Sequence, residues 1–328
     1  MNSGKRARRH LLRQAVQLSG ALLLVFATHL GTALGQDSIP DPSLNVESEP
    51  DSETEFEDLE APKAAEPGRR PLRPRLRRPV LTPEQLEEAE RLRKLAAKFG
   101  TDPTAIVGRV QLSSAYYDLP NDFRAVDSIF RADVPFRGNY LLRVDVPFIK
   151  WLDPNRPGTT STSGISDIAV TAGWRVYNKP EYAVLVGMIS TMPTGTESVL
   201  SLGKYTIGPT IATARVLPDW DTFLIGLFTQ QFSVGGDPSR KAFNLSRAAV
   251  AVTTLWKDRW WSQASTVFEV DWERKGKIGM TFELEVGRNL IGQWGMFARP
   301  GVGIFGQGVG ATYHWNVEVG IRRTFKSF

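Results

Sequence analysis

The fold is decided by the last fourteen residues, Trp315-Asn-Val-Glu-Val-Gly-Ile-Arg-Arg-Thr-Phe-Lys-Ser-Phe328. Apolar side chains occupy every second position from Trp315 to Ile321, and Asn316, Glu318 and Gly320 lie between them. Because successive side chains of a strand point to opposite faces, this alternation predicts a β-strand with one apolar and one polar face. An edge strand of a soluble β-sandwich and the last strand of a membrane barrel both fit the pattern.

Segments with the same alternation recur through the preceding part of the chain. There are twelve in all, at residues 109–117, 123–134, 139–150, 165–177, 181–192, 204–217, 221–233, 243–256, 260–272, 277–288, 294–305 and 313–326. An even number of segments, each of about ten residues or more, is typical of a transmembrane antiparallel barrel. Most connections also alternate between short and long, which is the outer-membrane pattern.

The end of the chain fits barrel closure. A closed barrel pairs its last strand with its first, because an unpaired edge in lipid leaves backbone groups without hydrogen bonds. We take Phe325 and Phe328 as the barrel-closing terminus, with Phe325 as the effective end, since the apolar alternation counts back from that residue through Ile321, Val319 and Val317 with one interruption at Arg323. The predicted fold class is all-β: a closed antiparallel transmembrane β-barrel of about twelve strands, preceded by a disordered arm and one short helix.

The tryptophans favour the membrane barrel over the sandwich. A sandwich core would place large aromatic side chains in the middle of strands, whereas here they lie near predicted strand ends. An indole ring has an apolar body and a polar N–H group, which suits the headgroup level on either side of a bilayer. The predicted aromatic belts consist of Trp151, Trp174, Trp220, Trp256, Trp260, Trp261, Trp272, Trp294 and Trp315.

In a membrane barrel the apolar face of each strand contacts lipid and the polar face lines the lumen. The predicted lumen-lining charges are Asp133, Arg143, Asp145, Asp167, Arg175, Glu269, Asp271, Glu283, Glu285, Arg299, Glu318 and Arg322. Two interpretations remain open. The charges form a polar pore that selects solutes by size and field, or they pair across neighbouring strands and fill the lumen.

The chain before the first strand divides into three parts. Residues 1–35 combine a basic start, a short apolar stretch and small residues, which predicts a signal peptide. Residues 36–80 carry an acidic run and then a Pro/Arg run without apolar periodicity, so we predict a disordered arm. Residues 81–107 contain a periplasmic helix and a linker, and the barrel is assigned to residues 108–328.

The helix has clear ends in the sequence. Thr82 is the predicted N-cap, Pro83 occupies the first helical position, Gln85 completes a capping box and Gly100 ends the helix. An apolar stripe runs along one face. The helix could lie against the barrel rim, plug the lumen or pair with another chain, and the sequence leaves these alternatives open.

Composition narrows the function. The formal charge of +5 is matched by five basic residues within residues 1–35, so the remaining chain is close to neutral and nucleic-acid binding loses its main support. The chain has no Cys, and His314 is the only His outside the predicted signal peptide. Nucleophilic catalysis usually needs a base beside the nucleophile, and metal sites need several ligands. We therefore predict no enzyme activity, no cofactor and no metal site.

Short Gly/Pro-rich motifs carry a family resemblance. At Gly164-Ile-Ser-Asp167-Ile, Pro193-Thr194-Gly195, Leu202-Gly203 and Gly208-Pro209, the chain resembles a family of outer-membrane barrels associated with a phenol-degradation pathway and labelled as transporters. The family usually shows Gly-x-Gly-Asp where this chain has Gly-Ile-Ser-Asp. The resemblance implies a barrel that passes small solutes, hydrophobic or aromatic compounds among them.

The predicted function is passage of small solutes through a charged lumen in the outer membrane of a Gram-negative-type bacterium. The alternative is a structural barrel with a blocked lumen whose N-terminal arm holds a periplasmic partner. The implied partners are outer-membrane lipid and lipopolysaccharide, the barrel-assembly machinery and a small-molecule solute, with no nucleic acid.

Overall fold

A computed structural model describes residues 81–325 of the chain. The predicted signal peptide, the predicted arm and the terminal Phe328 lie outside these residues. Within the described range, one helix precedes a single antiparallel sheet that closes on itself. No helix between residues 81 and 325 is long and apolar enough to cross a bilayer.

The helix α1 spans Pro83–Phe99, as the sequence predicted. The Thr82 side chain accepts a hydrogen bond from the Gln85 amide, and the Gln85 side chain accepts one from the Thr82 amide, so the capping box is formed. Gly100 ends the helix at φ 67°, a left-handed conformation that favours glycine.

Thirteen strands follow the helix, twelve long and one short. They are β1 Gly108–Asp118, β2 Arg124–Phe136, β3 Tyr140–Asp153, β4 Thr162–Gly164, β5 Ile168–Asn178, β6 Tyr182–Met192, β7 Lys204–Leu217, β8 Thr222–Gly236, β9 Asn244–Leu255, β10 Trp260–Asp271, β11 Lys277–Asn289, β12 Trp294–Phe305 and β13 Trp315–Phe325. The three-residue β4 pairs only with the end of β3 and extends a loop.

The twelve long strands form a closed barrel, which confirms the predicted fold class. Each strand pairs antiparallel with its neighbours in sequence order, and β1 pairs with both β2 and β13. The closing register places Phe325 opposite Gly108 and Trp315 opposite Asp118. The last strand, which the alternation of side chains predicted, therefore lies at the barrel seam, where β13 pairs with β1.

The two ends of the barrel differ in their connections. At one end, called the short-turn end, the chain enters β1, leaves β13 and makes tight turns such as residues 137–139 and 179–181. At the other, called the long-loop end, the connections include residues 154–167, 193–203 and 306–314.

Burial alternates along the strands as barrel geometry requires. On β13, Val319 and Ile321 are exposed on the outer face, whereas Asn316, Arg322 and Thr324 are buried on the inner face. The main cluster of buried apolar residues lies inside the barrel, between α1 and the inner wall. The apolar side chains of α1 pack against the inner wall and complete this core.

Candidate functional site

The helix α1 lies in the lumen at the short-turn end, which resolves the alternatives that the sequence left open. Its buried stripe consists of Ala89, Leu92, Ala96 and Phe99. The stripe packs on what we call the apolar wall patch, inner-wall residues Ala214, Val216, Phe223, Ile225, Ala251, Leu255, Trp261 and Phe297. This patch spans β7 to β12, so one helix covers half of the wall.

Polar contacts hold the start of α1 at the turns of the short-turn end. The Gln85 side-chain amide donates to Asp219 between β7 and β8, at 3.2 Å. The Arg93 guanidinium donates to the Asn178 side chain and the Lys179 carbonyl, both at 2.7 Å. The helix is therefore fixed to the barrel along its length and not only through its apolar stripe.

The C-terminal end of α1 is held by the barrel seam. The Thr324 hydroxyl on β13 donates to the Lys98 carbonyl at 2.6 Å. The Arg109 guanidinium on β1 and the Arg322 guanidinium on β13 both donate to the Gly100 carbonyl, at 2.9 and 3.3 Å. Helix C-termini leave carbonyl oxygens without partners inside the helix, and here the wall supplies the donors.

The linker after α1 crosses the lumen before it enters β1. Thr104 is fully buried, and Ile106 packs with Leu141, Leu185 and Ala212 on strands β3, β6 and β7. A cavity of about 60 Å³ remains beside Pro103, large enough for a few water molecules. We call residues 83–107 the plug, because the helix and the linker together fill the short-turn half of the lumen.

Inside the barrel, charged side chains on neighbouring strands pair. Asp133 lies between Arg109 and Arg143, with closest nitrogen–oxygen distances of 2.7 Å to each. Arg131 and Asp145 form a second pair at 2.5 Å. Asp133, Arg143 and Asp145, which the sequence predicts to line the lumen, lie on the inner wall in these pairs.

A second network surrounds Arg299 on β12. Its guanidinium lies 2.6 Å from Glu285 and 3.0 Å from Glu318, with Glu283 farther away at 3.9 Å. Glu285 also accepts from Arg322 at 2.8 Å. The two networks meet at the seam of the barrel, where Arg109 and Arg322 share the Gly100 carbonyl.

The loop 306–314 folds inward at the long-loop end. The buried Glu269 carboxylate accepts from the Ala311 amide at 2.6 Å and pairs with Arg247. The Tyr313 hydroxyl donates to Glu283 at 2.6 Å. Burial, with the charge of Glu283 beside it, raises the pKa of Tyr313, so the phenol stays protonated and keeps donating. This loop narrows the lumen from the outer side.

Two predicted lumen residues lie near the ends of the barrel. Arg175 donates to the Gly138 carbonyl at 3.2 Å, near a short turn. Asp271 accepts from the Glu273 amide at 3.1 Å, at the end of β10. Neither contributes to the two networks inside the barrel.

The prediction for Asp167 needs correction. The alternation predicts a strand over residues 165–177 with Asp167 facing the lumen, but β5 begins at Ile168 and Asp167 belongs to the loop before it. Its carboxylate accepts from the Gly195 amide at 3.1 Å and the Leu202 amide at 2.7 Å. Most residues that carry the family resemblance, including Thr194, which accepts from the Ile168 amide at 2.9 Å, therefore meet in one loop cluster, whereas Gly208 and Pro209 lie within β7.

The tryptophans divide between two environments. Seven are exposed on the outer face near strand ends, and Trp151 is half-buried there; the seven are Trp174, Trp220, Trp256, Trp260, Trp272, Trp294 and Trp315. Trp261 departs from the predicted belt. It is fully buried inside the barrel, 5.9 Å from the Phe99 ring, and its indole N–H donates to Glu285 at 2.7 Å.

His314 lies in the inward loop, where its backbone amide donates to the Asp118 carbonyl at 2.8 Å. Among residues 81–325, no group of three or more His, Asp or Glu side chains could hold a metal ion.

Sequence reasoning missed the apolar wall patch and the role of Arg109. Arg109 shares its parity with Gln111 and Ser113, so the strand register alone could have placed it in the lumen. The wall patch was harder to find, because its residues carry no charge and belong to five strands that are separate in the sequence.

Comparison with solved structures identifies the same fold. An outer-membrane channel from Pseudomonas putida F1 aligns over 67% of this chain and 94% of its own, with 12% identity and a TM-score of 0.53. The NanC porin aligns over 66% and 99%, with 11% identity and a TM-score of 0.48. The KdgM porin aligns over 66% and 99%, with 10% identity and a TM-score of 0.46. No protein-family model and no curated protein sequence matches the chain.

Proposed function

We propose that the protein is an outer-membrane channel for small solutes whose short-turn end is closed by the plug. The observation that carries this proposal is the match between the stripe of α1 and the apolar wall patch. An open aqueous lumen with that patch bare would expose apolar surface to water. The patch is thus suited to a barrel that spends most of its time plugged.

The fold comparison supports the channel part of the proposal. The Pseudomonas putida F1 protein is described as an outer membrane channel. The outward apolar face suits lipid and lipopolysaccharide as surroundings, and the seam at Phe325 suits assembly by the barrel-assembly machinery. For the solute we propose small compounds, aromatic or hydrophobic ones among them, since leucines and Arg143 line the remaining cavity together.

The test is single-channel recording in planar bilayers with a loosened plug. Leu92→Ala removes a buried side chain of the stripe and should cost the plugged state about 2–5 kcal/mol. We expect rare openings for the unsubstituted chain and at least tenfold more open time for the variant. The matched control is Glu90→Ala with Lys94→Ala, which removes an exposed ion pair on the same helix and should change little.

A second function remains in view because the helix fits the wall so completely. In this alternative the barrel is permanently blocked, and the N-terminal arm holds a periplasmic partner. Conductance decides between the two. If Leu92→Ala exposes the wall patch to chemical labelling and yet no current flows in any electrolyte tested, the channel proposal fails and the blocked barrel is supported.

A further inference from the structure

Two arginines at the seam bind the plug through a single carbonyl. Arg109 and Arg322 both donate to Gly100, the residue that ends α1. The carboxyl end of a helix carries a partial negative charge, so this carbonyl occupies the position of a weak anion between two guanidinium groups.

The arginines have donors to spare. Arg109 uses Nη2 for Asp133 and Arg322 uses Nη2 for Glu285, each with one Nη1 on Gly100. The Nε atoms of both are buried and have no hydrogen-bond partner among residues 81–325. The Arg322 side chain is 5% exposed. An unsatisfied buried donor costs free energy, and hydrogen bonds from a guanidinium to a carboxylate are among the strong ones because both groups are charged.

The Nη1 donors that now share the Gly100 carbonyl are released when the plug leaves. With Gly100 withdrawn, the Nη1 group of Arg109 and that of Arg322 can each donate to one oxygen of a carboxylate. The carboxylate that pairs with each arginine is part of the barrel wall and stays in place. For Arg322, the Trp261 ring is also part of the wall, and its centre lies 4.5 Å from the guanidinium carbon. A carboxylate carries a full charge and two oxygens, whereas the carbonyl it replaces carries a partial charge and one oxygen.

From this geometry we infer that Arg109 and Arg322 form a binding site for a solute carboxylate, and that binding there releases the plug. A ligand shifts an equilibrium only through its different affinity for the two states. The plugged state hides this site behind Gly100, and the released state opens it, so a carboxylate favours release. The inference rests on the proposed function and names its solute class: small carboxylates, with aromatic ones favoured by Trp261 and Phe297 beside Arg322.

The experiment follows release of the plug without measuring transport. The chain has no Cys, so Ala251→Cys introduces a single thiol on the apolar wall patch, covered by α1 in the plugged state. The rate of labelling by a maleimide in detergent or bilayers then reports plug release. Benzoate is the probe, and benzamide is its uncharged counterpart of the same shape.

We expect benzoate to accelerate labelling about tenfold at a concentration ten times its Kd, and benzamide to have no effect. Arg109→Gln in the same background should raise the basal rate and abolish the benzoate effect. Asp133 keeps Arg143 in that variant, so no buried carboxylate is left unpaired. Arg322→Gln is the second variant and should behave alike, because Glu285 keeps Arg299.

The matched control is Thr324→Val. It removes another hydrogen bond to the end of α1, the one to Lys98, without removing a charge. It should raise the basal rate and preserve the response to benzoate. Equal acceleration by benzoate and benzamide, or a benzoate effect that survives both arginine variants, overturns the carboxylate site. The labelling result stands apart from conductance, so a barrel that fails to conduct is recognised separately.

Discussion

Adjacent tryptophans at the start of β10 face opposite sides of the wall. Trp260 is exposed on the outer face, where the Arg288 guanidinium lies 5.3 Å from the ring centre. Trp261 is buried on the inner face, between Phe99 of the plug and Glu285 of the wall. One residue of register therefore separates a membrane-facing indole from one that completes the lumen core.

This pair provides a stability prediction. Trp261→Ala removes a fully buried aromatic side chain and should lower the free energy of unfolding by about 3–5 kcal/mol. Trp260→Ala truncates the same side chain on the exposed face and should cost clearly less, because lipid or detergent replaces its contacts. Denaturant unfolding in detergent micelles, followed by circular dichroism, measures both. Equal losses, or a larger loss at Trp260, contradict the assignment of Trp261 to the lumen core.

The positions of these residues show which features of the structure could be predicted from the sequence and which could not. Alternation gave the strands, because lipid on one side and a packed polar interior on the other impose a period of two. It could not place Trp261, since a strand end marks depth in the membrane but an aromatic there suits either face. Nor could it place Asp167, whose role depends on backbone amides of a loop about thirty residues away in sequence. The apolar stripe of α1 could be predicted from the sequence, but the apolar wall patch on which it packs is built from five different strands.

The loops and α1 occupy the lumen and the long-loop end of the barrel, whereas the strands form its wall. The long loops at residues 154–167 and 193–203 are bound to each other through Asp167 and through Ser166, whose hydroxyl donates to the Leu200 carbonyl at 2.6 Å. The loop 306–314 turns inward to Glu269 and Glu283. The loop 306–314 and the plug therefore narrow the lumen from opposite ends.

The loop cluster supplies the next prediction. Asp167→Asn replaces one carboxylate oxygen, which accepts a backbone hydrogen bond, with an amide donor and removes the charge that strengthens both bonds. We expect residues 193–203 to become several times more sensitive to limited proteolysis, while the unfolding transition of the barrel shifts little. Asp237→Asn is the control, because the Asp237 carboxylate binds Ser239 within its own loop. Unchanged cleavage in Asp167→Asn would show that the cluster does not depend on this carboxylate.

The two ends of the barrel differ in the length of their connections, and this difference predicts the orientation of the whole molecule in the membrane. The chain enters β1 and leaves β13 at the short-turn end, and the plug occupies that end too. In outer-membrane barrels, short turns face the periplasm and long loops face the exterior. On that orientation a solute from outside meets the inward loop first, and the Arg109–Arg322 pair with the plug last.

The orientation is tested by labelling single cysteines on intact cells with a membrane-impermeant maleimide. Thr160→Cys lies in an exposed part of the loop between β3 and β5, and Lys257→Cys lies in the exposed turn between β9 and β10. The native chain has no Cys, so each variant carries one reactive site. We expect labelling at position 160 on whole cells and at both positions after the cells are broken, because the outer membrane shields the short-turn end. Labelling at 257 but not at 160 would reverse the orientation, and the plug would then close the barrel against the exterior.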